Sequence, residues 1–291
     1  MRFQFIHDHR DQFSVTRMCK VLDVSRSGYY AWRGRPPSER EMENEKLYKK
    51  IKAVYDETGG VYGSPRIYDQ LDKQGIPCSE NRVARLMRLR GLRAKQEKTF
   101  KVTTRRNKAH PVAPNLLDRD FEAKGPNKIW LADITYIDTA EGWLYLAAVL
   151  DLFSRRIVGW AMSDRMTIAL TIRALRMALA QRHVEAGLIH HSDQGSQYTG
   201  QKYQQLLRNW GLKPSMNGVG TWYDNAPMES FFATLKTERA HHRAYQTRED
   251  ARADIFSYIE GFYNRRRIHS SLGYVSPLQH ERLCHQHTPY P

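Results

Sequence analysis

The chain is poor in cysteine. Cys19, Cys78 and Cys284 are the only three among 291 residues, they stand far apart and none forms a CxxC pair. That excludes a disulfide scaffold and a zinc ribbon and fits a reducing compartment. No apolar run approaches the roughly 20 residues that a bilayer-spanning helix needs. Charges near the N-terminus interrupt the apolar segment a signal peptide would require. The expectation is a soluble, cytoplasmic protein with no membrane partner. No internal repeat is evident. Gly218-Val219-Gly220 lacks the rest of a nucleotide-binding fingerprint and reads as a flexible loop. His191, Ser192 and Asp193 have the residue types of a hydrolytic triad, but neighbours on a strand point to opposite faces and cannot relay a proton.

What the chain has in excess is positive charge. Lys and Arg number 46 against 31 Asp and Glu, a net +15, which suits a polyanionic partner such as double-stranded DNA. The excess is uneven: residues 1–120 carry 26 basic and 15 acidic side chains, and residues 121–291 carry 20 and 16. The front of the chain is therefore the main electrostatic handle. The length accommodates about two domains.

In chain order, Val15, Met18, Cys19 and Leu22 form one helical stripe behind Ser14. A break at Asp23 to Ser25 and a second short helix complete a helix-turn-helix outline, whose competing reading is a pair of packed helices without DNA contact. Pro36 and Pro37 close that segment, 1–37. From Ser38 a helix buries Leu47, Ile51, Val54 and Tyr55 and stops at Gly59-Gly60. A short helix near Pro65 to Leu71 follows, then a turn and a helix capped by Ser79. On that last helix Val83, Leu86 and Met87 face inward, while Arg82, Arg85 and Arg88 step along another side. Residues 81–110 hold 11 basic side chains against the single acid Glu97, so this row is assigned to phosphate contact rather than to solvent. The span 38–95 is read as a DNA-binding domain and 96–125 as a basic linker.

The remainder, 126–285, reads as a mixed α/β unit. Strands are expected near 129–137, 143–150 and 157–162, then a helix from Thr167, a strand Leu188 to Ser192, a helix near Gln201 to Trp210, a strand Leu212 to Met216 and a helix carrying Glu229. A C-terminal helix follows with Ile255, Tyr258, Ile259 and Phe262 inward, and residues 286–291 form a tail. Within this unit Asp133 sits inside an apolar strand, where a carboxylate is costly unless a cation meets it. Asp193 and Glu229 are separated by 35 residues. Asp224 or Asn225 caps the Glu229 helix and Pro227 is tolerated in its first turn. Lys236, about two turns on, shares the Glu229 face and is assigned to phosphate.

Asp133, Asp193 and Glu229 with Lys236 resemble the D, D, 35, E signature of transposases with a retroviral-integrase-like, RNase H-like core. The words DITYI, EGWLYLAAVLDLFSRRIVGW, HSDQGSQY, YDNAPMESFFATLK and YNRRRIHSSLGYVSP are similar to those of the second-frame protein of the insertion sequence three family in bacteria. That resemblance covers nearly the whole chain. It implies an RNase H-like catalytic core behind α-helical helix-turn-helix modules. It also implies cleavage at element ends with 3′-OH strand transfer, and two Mg2+ ions, replaceable by Mn2+, held by Asp133, Asp193 and Glu229. A homo-oligomer on DNA and an upstream-frame fusion partner are implied as well. Tyr223 and Asn225 are expected to position the DNA end, with capping as the competing account of Asn225. Before YDNA the family commonly has a basic and a small residue where this chain has Gly218, Val219 and Trp222, and Trp222 is available to stack on a base.

Each acid also has a plain structural reading: Asp133 at a strand end, Asp193 as an Asx-turn residue before Gly195, Glu229 as a first-turn glutamate. Asp138, Asp151, Asp164, Asp224 and Glu238 are read as turn, cap or surface groups, with Asp151 paired to Arg155. His191 either supports Asp193 or is a structural histidine. Arg265 to Arg267 form a basic cluster for phosphate or solvent. Two further functions share these features: a catalytically silent DNA-binding protein derived from a transposase, and an RNase H-type nuclease that cuts without joining.

Overall fold

A computed structural model describes residues 2–95, 113–117, 121–217 and 225–287. Trp222, Tyr223, the 286–291 tail beyond 287 and most of the 96–125 stretch lie outside the described residues. The chain divides into two compact units, Met1–Arg93 and Ala94–Pro291. Among the described residues no helix is long and apolar enough to cross a membrane.

The first unit is helical. Helices α1 (Arg2–Asp8), α2 (Val15–Val21) and α3 (Arg26–Gly34) surround a small core of Ile6, Met18, Cys19 and Tyr29. Helices α4 (Glu39–Glu57), α5 (Ser64–Lys73) and α6 (Glu80–Leu89) follow. A capping box starts α4: Ser38 Oγ accepts from the Glu41 N–H at 3.3 Å and the Glu41 carboxylate accepts from the Ser38 N–H at 2.8 Å. The helix ends on Gly59 and Gly60, at φ 63° and 76°, a left-handed pair that glycine adopts without steric cost. Leu47, Ile51 and Val54 of α4 are buried, as are Ile67 and Leu71 of α5 and Val83, Leu86 and Met87 of α6. Their spacing of three and four turns one apolar stripe of each helix inward.

The second unit is built on a five-stranded sheet, in the order β3-β2-β1-β4-β5. The strands are β1 (Ile129–Ile137), β2 (Leu144–Asp151), β3 (Ile157–Ser163), β4 (Ile189–Ser192) and β5 (Lys213–Met216). The first three form an antiparallel meander, and β4 and β5 run parallel to β1. Pro214 is tolerated because β5 is an edge strand. Helices α7 (Ile168–Gln181), α8 (Ser196–Thr199) and α9 (Gln201–Asn209) connect the meander to the parallel pair. After β5 come α10 (Ala226–Glu238), α11 (Arg248–Phe256), a π-helical segment Ser257–Tyr263 and α12 (Pro277–His287).

Alternation along β1 sorts two cores. Trp130 and Ala132 belong to one with α7 and α9, while Leu131 and Ile137 join Met228, Phe231, Phe232 and Leu235 of α10 and Ile255 of α11 in the other. Helix α7 lies so close to β3 that a Cβ on Gly159 would sit 2.3 Å from the Ala174 carbonyl oxygen, so glycine is required there. The described part of the expected linker is not free of the core. Leu117 is 3% exposed within the α10 side, and the Leu116 N–H donates to Ser215 Oγ at 2.9 Å.

Two acids expected at turns or on the surface, Asp151 and Glu238, are buried ion-pair partners instead. Asp151 is fully buried and accepts from Arg182 Nη2 at 3.1 Å and from the Asn127 N–H at 2.8 Å, not from Arg155. Arg155 has φ 61° in the β2–β3 turn. Arg182 also donates to Glu281 at 2.6 and 2.9 Å, and Arg156 to Glu281 at 2.8 Å, which fastens α12. Glu238 is buried against Arg267, with N–O distances of 2.7, 2.9 and 3.0 Å, and accepts from the Tyr258 hydroxyl at 2.6 Å. Of the expected basic cluster, only Arg265 and Arg266 reach solvent. A buried acid has to find a cation, and these partners are remote in sequence.

Candidate active site

Asp133 lies at the middle of β1, paired across to Ala148 of β2. On its other side β1 and β4 are in parallel register up to Ala132 with Ser192. One residue further along that register stand Asp133 and Asp193, on strands that run about 4.8 Å apart. Parallel neighbours point the same way, so both carboxylates belong to the face that α10 covers. Glu229 is in the first turn of α10, whose Met228, Phe231, Phe232 and Leu235 pack on that face.

The electrostatics link all three. Burial pushes the Asp133 carboxyl well above the usual carboxylate range, and the charges of Asp193 and Glu229 push it further. The Ile134 N–H, donating at 2.7 Å, and the Lys236 ammonium act in the opposite direction. Burial also raises Asp193, against the Gly195 N–H that donates to its Oδ1 at 2.9 Å. This is the Asx turn expected before Gly195, and a Cβ on Gly195 would sit 2.9 Å from Asp193 Oδ1. Glu229 reaches solvent, and partial burial still raises its carboxyl. Among the described residues no group of three or more His, Cys, Asp or Glu is closed up enough to hold a metal ion. Asp133 and Asp193 are buried, and Glu229 lies on the exposed side of α10.

Lys236, assigned to phosphate from its spacing, is buried. It is 6% exposed, with Nζ 4.5 Å from the centre of the Tyr136 ring, and burial pushes its ammonium down to about 8 while Asp133 opposes that shift. The seven-residue spacing did put it on the Glu229 helix, but that face turns toward β1. Asn225 occupies the N-cap position of α10 without a side-chain cap bond. It is buried, and its Nδ2 donates to the Ala132 carbonyl at 3.4 Å, tying the start of the helix to the residue before Asp133. His191 is buried and hydrogen-bonded to Ser215 Oγ at 2.9 Å and Asn217 Oδ1 at 2.5 Å, so it joins β4 to β5. The sequence reading did not single out Tyr198 of α8, although it lies inside HSDQGSQY. Burial raises its phenol well above the usual range, and Asp133 and Asp193 are among the further causes, which places it beside the pair.

The three arginines of α6 differ. Arg85 and Arg88 are exposed. Arg82 Nε donates to Asn44 Oδ1 at 2.9 Å and Nη2 to Glu43 Oε2 at 3.2 Å, so it braces α6 against α4.

A three-strand meander continued by parallel strands, with one aspartate on β1, a second just past its parallel neighbour β4 and a glutamate on the covering helix, defines an integrase-type catalytic core of the RNase H-like class. The integrase core domain family matches residues 123–221, a second integrase core family matches 229–283, and an HTH-like domain family matches 42–100. The chain is 44% identical over 283 residues to the transposase InsF for insertion sequence IS3A of Escherichia coli strain K12, covering 97% of this chain and 98% of that one. It is 47% identical over 269 residues to an uncharacterized 31 kDa protein of insertion element IS600 of Shigella sonnei, covering 92% and 99%. It belongs to the IS3 family of insertion-sequence transposases. Among solved structures it is similar to the HTLV-2 integrase catalytic core domain in complex with magnesium, with a TM-score of 0.42 and 17% identity over 55% of this chain and 99% of that one. A simian T-cell lymphotropic virus intasome in complex with a PP2A regulatory subunit gives a TM-score of 0.48 and 15% identity over 82% and 75%.

Proposed function

We propose that this chain is a DNA transposase that cleaves phosphodiester bonds at the ends of its insertion sequence and joins the freed 3′-OH to target DNA. Asp133, Asp193 and Glu229 are its catalytic carboxylates. The observation that carries this reading is the convergence of Asp133 on β1 with Asp193, one residue past the parallel neighbour β4, with the Glu229 helix packed against β1.

The donor set fits hard divalent cations. It consists of carboxylate oxygens alone; burial raises all three groups, and the charges of Asp193 and Glu229 raise Asp133 further, a strain that a divalent cation relieves. Asp133 would serve two Mg2+ ions, Asp193 one and Glu229 the other, with Mn2+ as a substitute. Bound, they supply Lewis acidity to the phosphoryl group and a field that favours the attacking and departing oxygens. Asp133 and Asp193 are held in place by the sheet and by the Gly195 N–H. Glu229 completes the set by turning its side chain inward from the helix surface. Lys236 sets the charge behind Asp133. Arg85 and Arg88 hold phosphates, and Asn225 acts by fixing α10 to β1. The working form is an oligomer on DNA in the bacterial cytoplasm, with an upstream-frame partner to help choose the ends.

The test is incubation of purified protein with labelled element-end duplex and Mg2+, scoring nicked and joined products. Asp133→Asn, Asp193→Asn and Glu229→Gln each abolish both products while DNA affinity persists. An active triple variant refutes the assignment. Nicking without joining would support the nuclease reading instead.

A further inference from the structure

The family match to the HTH-like domain begins at residue 42, yet the helices before it form a second unit of the same kind. Helix α2 has seven residues, the turn Leu22 to Ser25 has four, and α3 has nine. Asp23 makes the turn at φ 48°, a left-handed position that Asp tolerates better than most residues. The Val24 N–H bonds back to the Cys19 carbonyl at 3.0 Å, and Ser25 starts α3 by accepting from the Gly28 N–H at 3.0 Å. Helix α1 covers one side of α3: Phe3 sits so near Gly28 that a Cβ there would lie 3.2 Å from its ring. Tyr29 is fully buried and Trp32 packs against the same cluster.

The other side of α3 is open. Arg26, Tyr30 and Arg33 stand at i, i+4 and i+7, one above another, with Ser27 beside them, and all four are exposed. Residues 24–35 hold three arginines and no acid. Tyr30 is 48% exposed, and its ring meets only the edge of Tyr29 among the ring contacts described. A nine-residue helix is about 13 Å long and fits a major groove about 12 Å wide. We propose that the exposed face of α3, through Arg26, Ser27, Tyr30 and Arg33, enters the major groove of double-stranded DNA as a second reading head, separate from the α6 face. Arg26, Ser27 and Tyr30, toward the start of the helix, reach base edges, and Arg33 meets phosphate.

This inference rests on the transposase reading only in that the ligand is DNA. The test uses the full chain, an element-end duplex and a scrambled duplex of equal length. Hydroxyl-radical footprinting and anisotropy titration compare wild type, Arg26→Gln/Tyr30→Ala/Arg33→Gln, and Arg85→Gln/Arg88→Gln. All five positions are exposed, so the fold is expected to survive, which melting curves check. The α3 variant loses one protected segment and about tenfold or more in affinity for the element end, keeping the segment that the α6 variant loses. Wild-type protection and affinity in the α3 variant overturn the proposal while the transposase reading stands. Unchanged DNA binding with an altered sedimentation profile also overturns it, assigning the face to a protein contact. A wild type that binds neither duplex overturns both readings.

Discussion

Removing Arg267 takes the paired guanidinium away from a buried carboxylate, Glu238. The Glu238 and Arg267 side chains are each 7% exposed, joined by three N–H···O contacts of 2.7 to 3.0 Å. The Tyr258 hydroxyl gives Glu238 one more hydrogen bond at 2.6 Å. In Arg267→Met, Glu238 keeps the tyrosine but loses the three-contact ion pair with the guanidinium. Breaking such a pair from one side costs about 3–5 kcal/mol, whereas replacing both partners by apolar groups of similar volume is nearly neutral. For a unit of about 200 residues each kcal/mol moves Tm by roughly 2–4 °C, so a drop of about 6–20 °C is expected. The double variant Glu238→Leu/Arg267→Met should recover most of that loss, short of the Tyr258 hydrogen bond. Circular dichroism melts of wild type, both single variants and the double variant close a thermodynamic cycle. An Arg267→Met melt within about 1 °C of wild type, or a double variant no better than the single, refutes the reasoning. Because Glu238 ends the helix that begins beside Glu229, strand joining near the lowered Tm should fail before it does in wild type.

Asp133→Asn should raise the Tm of metal-free protein at pH 8 in chelator while abolishing cleavage, because burial and two like charges disfavour the ionised carboxyl. A variant less stable than wild type would sink this account. His190 is buried beside the Tyr203 hydroxyl at 3.0 Å, and burial, with the His191 charge second, pushes it down to about 3 from 6.5. The unfolded chain takes the proton up near 6.5 and the folded chain refuses it until about 3. Stability is therefore full above that window and falls as pH drops through it, by on the order of 4–5 kcal/mol from this group. Denaturant midpoints for wild type and His190→Gln between pH 7 and 4 should diverge, and parallel profiles refute the assignment. Arg85→Gln and Arg88→Gln should each reduce the slope of log affinity against log salt by about 0.9, without a change in Tm. Arg82→Gln should also lower Tm because it frees α6 from Asn44 and Glu43, and equal behaviour of the three arginines would contradict their different surroundings.

Much of the catalytic unit was legible because its strands are apolar, β-branched runs bounded by turns. Asp133 in a strand, Asp193 just past a strand and Glu229 in the first turn of a helix were expected, and the structure has them there. Parallel pairing of β1 with β4, which sets the two aspartates side by side, is a non-local fact that only the α/β order hinted at. Charge alone could not tell Arg82 from Arg85, nor Arg267 from Arg266, since burial depends on what packs opposite. Asp151 was read against Arg155 because they are close in sequence, whereas its cation, Arg182, arrives from the end of α7. Helix α1 escaped notice because only Phe3 and Ile6 mark its apolar side among charged and polar neighbours. The π-helical turn at Ser257–Tyr263 keeps the apolar pattern of an ordinary helix while shifting its register, bringing Tyr263 rather than Phe262 fully inside.

The arrangement of α10 explains how a site can be both fixed and incomplete. Its start is tied to β1 through Asn225 and the Ala132 carbonyl, its middle is set in the core by Phe231, Phe232 and Leu235, and its end is locked by Glu238 with Arg267. A helix held at three levels cannot swing as a body without breaking a buried ion pair, so the adjustable part is the Glu229 side chain, which reaches solvent. Keeping that carboxylate outside limits the repulsion that Asp133 and Asp193 already impose on each other. Lys236, two turns along, supplies positive charge to Asp133 from within the fold. The resting site therefore holds two adjacent buried carboxylates with Glu229 outside, and on the proposed reading admitting the third requires added positive charge of the kind divalent cations supply.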